Sequence, residues 1–303
     1  MRAILQFIKD WTLLFAILVG GIFNEFFGYI YTEYPFVTPS LIFIMLLLTF
    51  SKLENISFKI SSLHIWLISI QLIGSAGLYF LFAQWNTTLA QGAMICLLVP
   101  TATSVAVVTN LLKVDIKFVT SYLFLSNFIT AITIPIFLGF IGIGTNESIW
   151  QSTLVIAKRV LPTVVLPMLI VIITKEFAPK IHKNLQKYSY LTFYIWSFAL
   201  TLVIGRTINS FLIQENTNYF IEISLAVGSF FLCITQFGMG RMIGAKYGER
   251  IAAGQALGQK NTIFAIWMAQ TYLSPLVSIA PAAYVLWQNT INSYQIWKAR
   301  TKK

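Results

Sequence analysis

Charge is scarce in this chain. Only 10% of its 303 residues are Asp, Glu, Lys or Arg, and just 10 of them are acidic. An ordinary water-soluble domain, in which about a quarter of residues are charged, is therefore excluded. Two cysteines and two histidines are too few for a disulfide or zinc framework. Cys96 and Cys233 fall inside apolar segments, where a thiol serves as a small packing residue, so no disulfide is expected. His64 and His182 stand in neither a metal-ligand nor a catalytic spacing. No two-histidine-plus-acid motif and no serine–histidine pairing supports an enzyme, and no metal or cofactor is expected. The first apolar run lacks a small-residue cleavage pattern and is long enough to span a bilayer, so no cleavable signal is expected.

Apolar length is what the chain has instead. Hydrophobic residues make up 57% of it and the mean hydropathy is +0.76. Crossing about 30 Å of hydrocarbon takes about 20 residues per helix. Ten such runs can be drawn, at about 11–30, 36–51, 61–83, 87–112, 118–142, 149–174, 188–209, 218–244, 250–271 and 273–297. The expectation is an all-α, ten-helix membrane protein forming one polytopic unit.

Basic residues mark the cytoplasmic side of such a chain. In the ten-helix arrangement, alternate flanks collect Arg2, Lys9, Lys52, Lys59, Lys113, Lys117, Lys175, Lys180, Lys183, Lys187, Arg241, Lys246, Arg250, Lys298, Arg300, Lys302 and Lys303. These are 17 of the 21 Lys and Arg residues. The opposite connections, near Glu33, Gln84, Glu147, Glu215 and Thr271, hold almost none. Both termini are thus expected in the cytoplasm, with the chain in the cell (inner) membrane. The net charge of +11 reads as topological, with membrane lipid as partner and no nucleic acid.

Lys260 is the only charge between Ile251 and Trp297, within the polar patch Gly254–Asn261. An ammonium at membrane depth costs about 2.5–3.5 kcal/mol on insertion scales and usually faces a protein cavity. Five spans per half force any internal repeat to be inverted, so a polar interruption should recur at matching positions. It does: the fourth span contains Val99-Pro100-Thr101-Ala102-Thr103-Ser104, and the ninth, fourth in its own half, contains the Lys260 patch. Interrupted helices are tolerated at membrane depth only where protein or a cavity satisfies the freed backbone groups. Two such helices crossing at the midplane point to a binding site there.

The segment Pro100-Thr101-Ala102-Thr103-Ser104-Val105-Ala106-Val107-Val108-Thr109-Asn110-Leu111-Leu112-Lys113-Val114-Asp115 resembles the P-G-G-T-A-S-N-V-M-T-Y-L-A-K-G-D stretch of the bile acid:sodium symporters. Gly258-Gln259-Lys260-Asn261 is similar to their E-V-G-M-Q-N element, and Ser274–Asn289 to their N-P-L…S-V-W-H-N ending. The resemblance, from the third span to the end, implies ten helices in two inverted repeats. It further implies panel helices at about 11–51 and 149–209, core helices at about 61–142 and 218–297, and substrate between panel and core. It also implies two sodium ions, whose ligand positions fall here on Val105, Ala106, Val119, Leu123 and Ala256. Those side chains offer no oxygen to a hard cation. A neighbouring family Gln falls on Lys260, and of the side-chain ligands only Gln71 is retained. The expectation is that the Lys260 ammonium replaces a sodium ion, donating to unwound carbonyls and to Gln71.

Lys158 and Arg159 stand near the centre of the sixth span. They suit an organic anion, or else pair with an intramembrane acid such as Glu25 or Glu222. By resemblance, Thr103, Ser104, Asn261, Gln288 and Asn289 fall at polar positions near the crevice. The expected function is secondary transport of a small organic anion by alternating access, sodium-independent, with proton coupling through Lys260 as an additional expectation. A ligand-binding receptor or sensor on the same scaffold is the alternative.

Overall fold

The computed structural model describes residues 12–52, 60–141, 148–213 and 218–301. Arg2, Lys9, Lys59, Glu147, Glu215, Lys302 and Lys303, which entered the charge placement, lie outside the described residues. The described chain is helical apart from turns and one isolated β-bridge. Its helices are α1 Thr12–Ile22, α2 Asn24–Glu33, α3 Val37–Ser51, α4 Ser62–Ala83, α5 Thr87–Leu98, α6 Val105–Leu111 and α7 Lys117–Ile141. They continue as α8 Ile149–Phe177, α9 Pro179–Lys187, α10 Leu191–Ile213, α11 Tyr219–Ala245, α12 Arg250–Gly258, α13 Thr262–Tyr272 and α14 Ile279–Thr301. A 3₁₀ turn, Pro275–Ser278, precedes the last.

Five of these, α4, α7, α8, α10 and α11, are long and apolar enough to cross a membrane. The shorter apolar helices α3 and α5 add to them. The first expected span departs from the sequence reading. Instead of one helix over 11–30, α1 and α2 meet at a bend of 84°. Phe23 leaves the helical backbone at the bend (φ −103°, ψ 32°), and the Asn24 side chain donates to the Gly21 carbonyl at 2.7 Å. Such a local side-chain bond competes with helix continuation, and Gly20-Gly21 just before it are weak helix formers.

Local signals set the other boundaries. Ser61 and His64 form a capping box at the start of α4, and Asn86 accepts from Leu89 N at 3.0 Å to start α5. Pro100 stops α5: the residue before a proline is pushed to extended backbone, and Val99 takes φ −61°, ψ 151°. Gln259 is likewise extended after Gly258, ending α12. Asn261 then caps α13, its Oδ1 accepting from Phe264 N at 3.3 Å. Every residue of α13 from Thr262 to Ala269 is buried, the pattern of a helix enclosed on all sides.

Contacts divide the chain into two compact units. Unit 1 holds Met1–Lys52 and Leu166–Thr217, with α10 packed on α1, α2 and α3. A Cβ at Gly205 would lie 2.8 Å from the Phe27 Cβ, so α2 and α10 approach where a side chain is missing. Unit 2 holds Leu53–Val165 and Asn218–Lys303, so the division falls within α8. Here α12 packs on α11 and α4 on α5. A Cβ at Gly240 would collide with the Ala253 carbonyl, which lets α12 lie against α11 backbone to backbone.

Candidate functional site

The two interrupted helices meet inside unit 2. Thr101 and Lys260 pair as an antiparallel β-bridge. Ala102 N donates to Gln259 O at 3.1 Å and Asn261 N donates to Pro100 O at 2.9 Å. Chain freed from one helix thus satisfies backbone groups freed from the other. Both bridge residues are buried.

Each helix break leaves up to four carbonyls without intrahelical partners and a partial negative charge at the C-terminal end. At the end of α5, three side chains from three other segments fill that role. Lys260 Nζ donates to Leu97 O at 2.8 Å and to Val99 O at 3.3 Å. Gln71 Nε2 donates to Leu98 O at 2.9 Å and Val99 O at 3.0 Å, and Gln236 Nε2 to Cys96 O at 3.4 Å. The Lys260 side chain is 1% exposed, and no carboxylate among the described residues lies within ion-pair distance of it, the recorded ion pair being Lys117–Asp115. Its charge is met by the carbonyl end of a helix rather than by an anion. The expected bond to Gln71 is absent: the two side chains share Val99 O, and Gln71 Oε1 instead accepts from Tyr122 OH at 3.1 Å and Ser126 Oγ at 3.4 Å.

The end of α12 is held differently. Thr101 Oγ1 donates to Ala256 O at 2.7 Å and Tyr284 OH to Gly258 O at 2.8 Å. Thr101 therefore does for α12 what its bridge partner Lys260 does for α5, with a hydroxyl in place of an ammonium. A polar file leads on from the crossing. Ser104 Oγ donates to Gln259 Oε1 at 2.9 Å, Gln259 Nε2 to Gln255 Oε1, and Gln255 Nε2 to Gln295 Oε1 at 2.7 Å.

The other residues singled out in the sequence fall in different settings. Thr103 is half-buried and Ser104 exposed beside the crossing. Asn261 is 5% exposed, and its Nδ2 has no hydrogen-bond partner among the described residues. Gln288 is tied to the bridge, its Oε1 accepting from Lys260 N at 2.9 Å and its Nε2 donating to Lys260 O at 3.4 Å. Asn289 donates to Val285 O of its own helix at 2.7 Å. Lys158 and Arg159 are exposed on the part of α8 that belongs to unit 2, with no ion pair to a carboxylate among the described residues. Arg159 is close enough to Tyr272 to act on it electrostatically. Val105, Val119, Leu123 and Ala256 are fully buried and Ala106 is 9% exposed.

Sequence reasoning missed Ser126 and Asn127, the polar side chains by which α7 bonds to Thr101 at the crossing, and Thr130 one turn further along the same helix. Ser126 Oγ accepts from Thr101 N at 3.1 Å, Asn127 Nδ2 donates to Leu123 O at 2.8 Å, and Thr130 Oγ1 donates to Ser126 O at 2.6 Å. Their signal was a polar pair four residues apart in an apolar span. Tyr122, Gln236, Tyr284 and Arg206, polar groups within long apolar helices, were missed as well.

The sequence profile of the Sodium Bile acid symporter family matches residues 37–214. The chain belongs to that family. The match takes in the stretch 100–115 and stops before the segments at 258–261 and 274–289 whose similarity was drawn from their residues. No curated protein sequence matches the chain. Family membership, together with five long apolar helices, makes this a multi-pass protein of a transporter family, with a small-molecule substrate and a membrane setting.

Proposed function

We propose that the protein is a ten-span secondary transporter of a small organic anion, working by alternating access without sodium, with the Lys260 ammonium standing where relatives recruit a dissolved cation. One observation carries this: a buried lysine from one interrupted helix donates to the C-terminal carbonyls of the other. A cation at that end is electrostatically favoured, and charge-assisted bonds to carbonyls make a buried ammonium tolerable. The apolar side chains at Val105, Ala106, Val119, Leu123 and Ala256 support the same reading, because none supplies the oxygen that sodium requires.

In this reading the anion meets Thr103, Ser104, Asn261 and Asn289 at the crossing, with Lys158 and Arg159 supplying positive charge. The buried Nδ2 of Asn261, which lacks a partner among the described residues, is the best-placed donor. Gln288 acts through the backbone of Lys260 rather than on substrate. Panel helices at about 11–51 and 149–209 and core helices at about 61–142 and 218–297 form the transport machinery. Both termini lie in the cytoplasm of the cell (inner) membrane. Proton exchange at Lys260 is a further element of the proposal, since burial disfavours the charged form of an amine. A receptor on the same scaffold would bind the anion without moving it.

Proteoliposome flux of a panel of radiolabelled carboxylates, with and without sodium or a pH gradient, separates these readings. Uptake that is equal in sodium and potassium supports the transporter proposal, and uptake driven by a pH gradient and lost in Lys260→Met adds the proton. Binding without flux favours the receptor, and flux that requires sodium overturns the role of Lys260.

A further inference from the structure

Arg206 is the charged side chain of α10 that stands well inside the helix, seven residues before its end at Ile213. At 1.5 Å per residue that places it about 10 Å from the helix terminus. It is half-buried, and its Nε is shielded from solvent without a hydrogen-bond partner among the described residues. No carboxylate among the described residues lies within ion-pair distance. Glu25 and Glu33, the acids of α2, are exposed and unpaired with it. Among the described residues the guanidinium lies over the Tyr31 ring, whose centroid is 5.7 Å from Cζ.

One turn further along α10, Ser210 Oγ is also buried and without a hydrogen-bond partner among the described residues. Residues four apart share a helix face, so two unsatisfied donors lie on one side of α10. The neighbouring backbone is fixed. Asn209 Nδ2 donates to Asn24 Oδ1 at 3.2 Å, and Asn24 Nδ2 to Gly21 O at 2.7 Å, tying α10 to the bend between α1 and α2. The aromatic face at Tyr31 is thereby held over a guanidinium whose buried Nε has no hydrogen-bond partner among the described residues.

We propose that Arg206 and Ser210, backed by Tyr31, form a binding site for an oxyanion, either a carboxylate or a phosphate group. A guanidinium presents two parallel donors to such a group, and stacking on an aromatic ring leaves that edge free. An unpaired arginine at this depth in a membrane helix is unfavourable, and an incoming oxyanion removes the deficit. The serine hydroxyl donates to one of its oxygens. The site is built wholly from unit 1 residues and does not depend on the role assigned to Lys260. The same chemistry is offered by a soluble organic anion and by a phospholipid head group.

The full chain in phosphatidylcholine nanodiscs, titrated with potassium acetate or potassium phosphate against potassium chloride of equal ionic strength, tests the soluble source. Nanodiscs in which phosphatidylglycerol replaces part of the phosphatidylcholine test the lipid source. A rise in Tm of about 2–4 °C in either arm is expected near saturation, reduced in Arg206→Lys and abolished in Arg206→Gln. A shift in the first arm identifies a soluble oxyanion, and one confined to the second a head group. Absence of a shift in both arms, or a shift of equal size in Arg206→Gln, overturns the proposal. Should the Gln variant not fold, Ser210→Ala decides: it keeps the charge and is expected to weaken probe binding several-fold, and unchanged binding contradicts the site.

Discussion

The half-helices α5 and α12 end in the same way and are stabilised in opposite ways. Both stop at the crossing and leave carbonyls pointing away from their own helix. Those of α5 are met by an ammonium and two amides, those of α12 by the hydroxyls of Thr101 and Tyr284. The pair of interruptions therefore carries charge on one side only. The residues of the bridge explain how. Thr101 and Lys260 each reach across to the partner helix, and a side chain whose polar atom lies three carbons further out in one of them converts a neutral cap into a cationic one.

The sharpest way to break this comparison is Lys260→Met, which fills a similar volume but donates to neither carbonyl. Flux without sodium is expected to fall at least about tenfold, the equivalent of one charge-assisted hydrogen bond of about 1.5 kcal/mol. Unchanged flux would make Lys260 a packing residue. Next in size is Gln71→Leu. It strips a donor from Leu98 O and an acceptor from Tyr122 and Ser126, and should lower stability by about 1–3 kcal/mol in a denaturant titration. At the neutral end, Thr101→Val and Tyr284→Phe should each cost about 1 kcal/mol. Neither should alter the dependence on cations, and a cation dependence appearing in them would erase the distinction between the two ends.

The smallest effect concerns the turn before α12. Partial burial, and then the nearby Asp115 carboxylate, hold the Glu249 pKa above its ordinary value. An acid whose folded value is raised favours the protonated form on folding, so its ionised form destabilises the protein above that value and the penalty disappears as pH falls below it. Glu249→Gln should accordingly raise Tm slightly at pH 8 and leave it unchanged at pH 4. A difference that grows on acidification would contradict the sign.

Sequence and structure agree most where a residue type has one physical use. Pro100 had to end a helix, and Lys260, alone in an apolar stretch, had to find partners at depth. Which carbonyls it would reach was not legible, because backbone carbonyls carry no signature in a sequence. The expectation named unwound carbonyls together with Gln71; the structure gives Leu97 O and Val99 O, and no bond to Gln71. An ungapped count along α7 led to Val119 and Leu123, yet Ser126 and Asn127 are the side chains that bond to the crossing. Short polar residues recur along that helix, so periodicity alone does not fix which turn reaches the site. Gln288, read from the sequence as a substrate contact, has its amide engaged with both backbone groups of Lys260, a pairing no sequence pattern announces. The bend at Phe23 was hidden for another reason: an apolar run long enough to span carries no mark of where Asn24 will cap back on Gly21.

Thermal stability as a function of sodium, titrated against potassium at constant ionic strength, tests the central claim without knowledge of the substrate. The wild-type chain is predicted to respond identically to the two ions, because its cation is covalently tethered, whereas Lys260→Ala is predicted to gain stability from sodium. A wild-type protein stabilised by sodium over potassium would contradict the account.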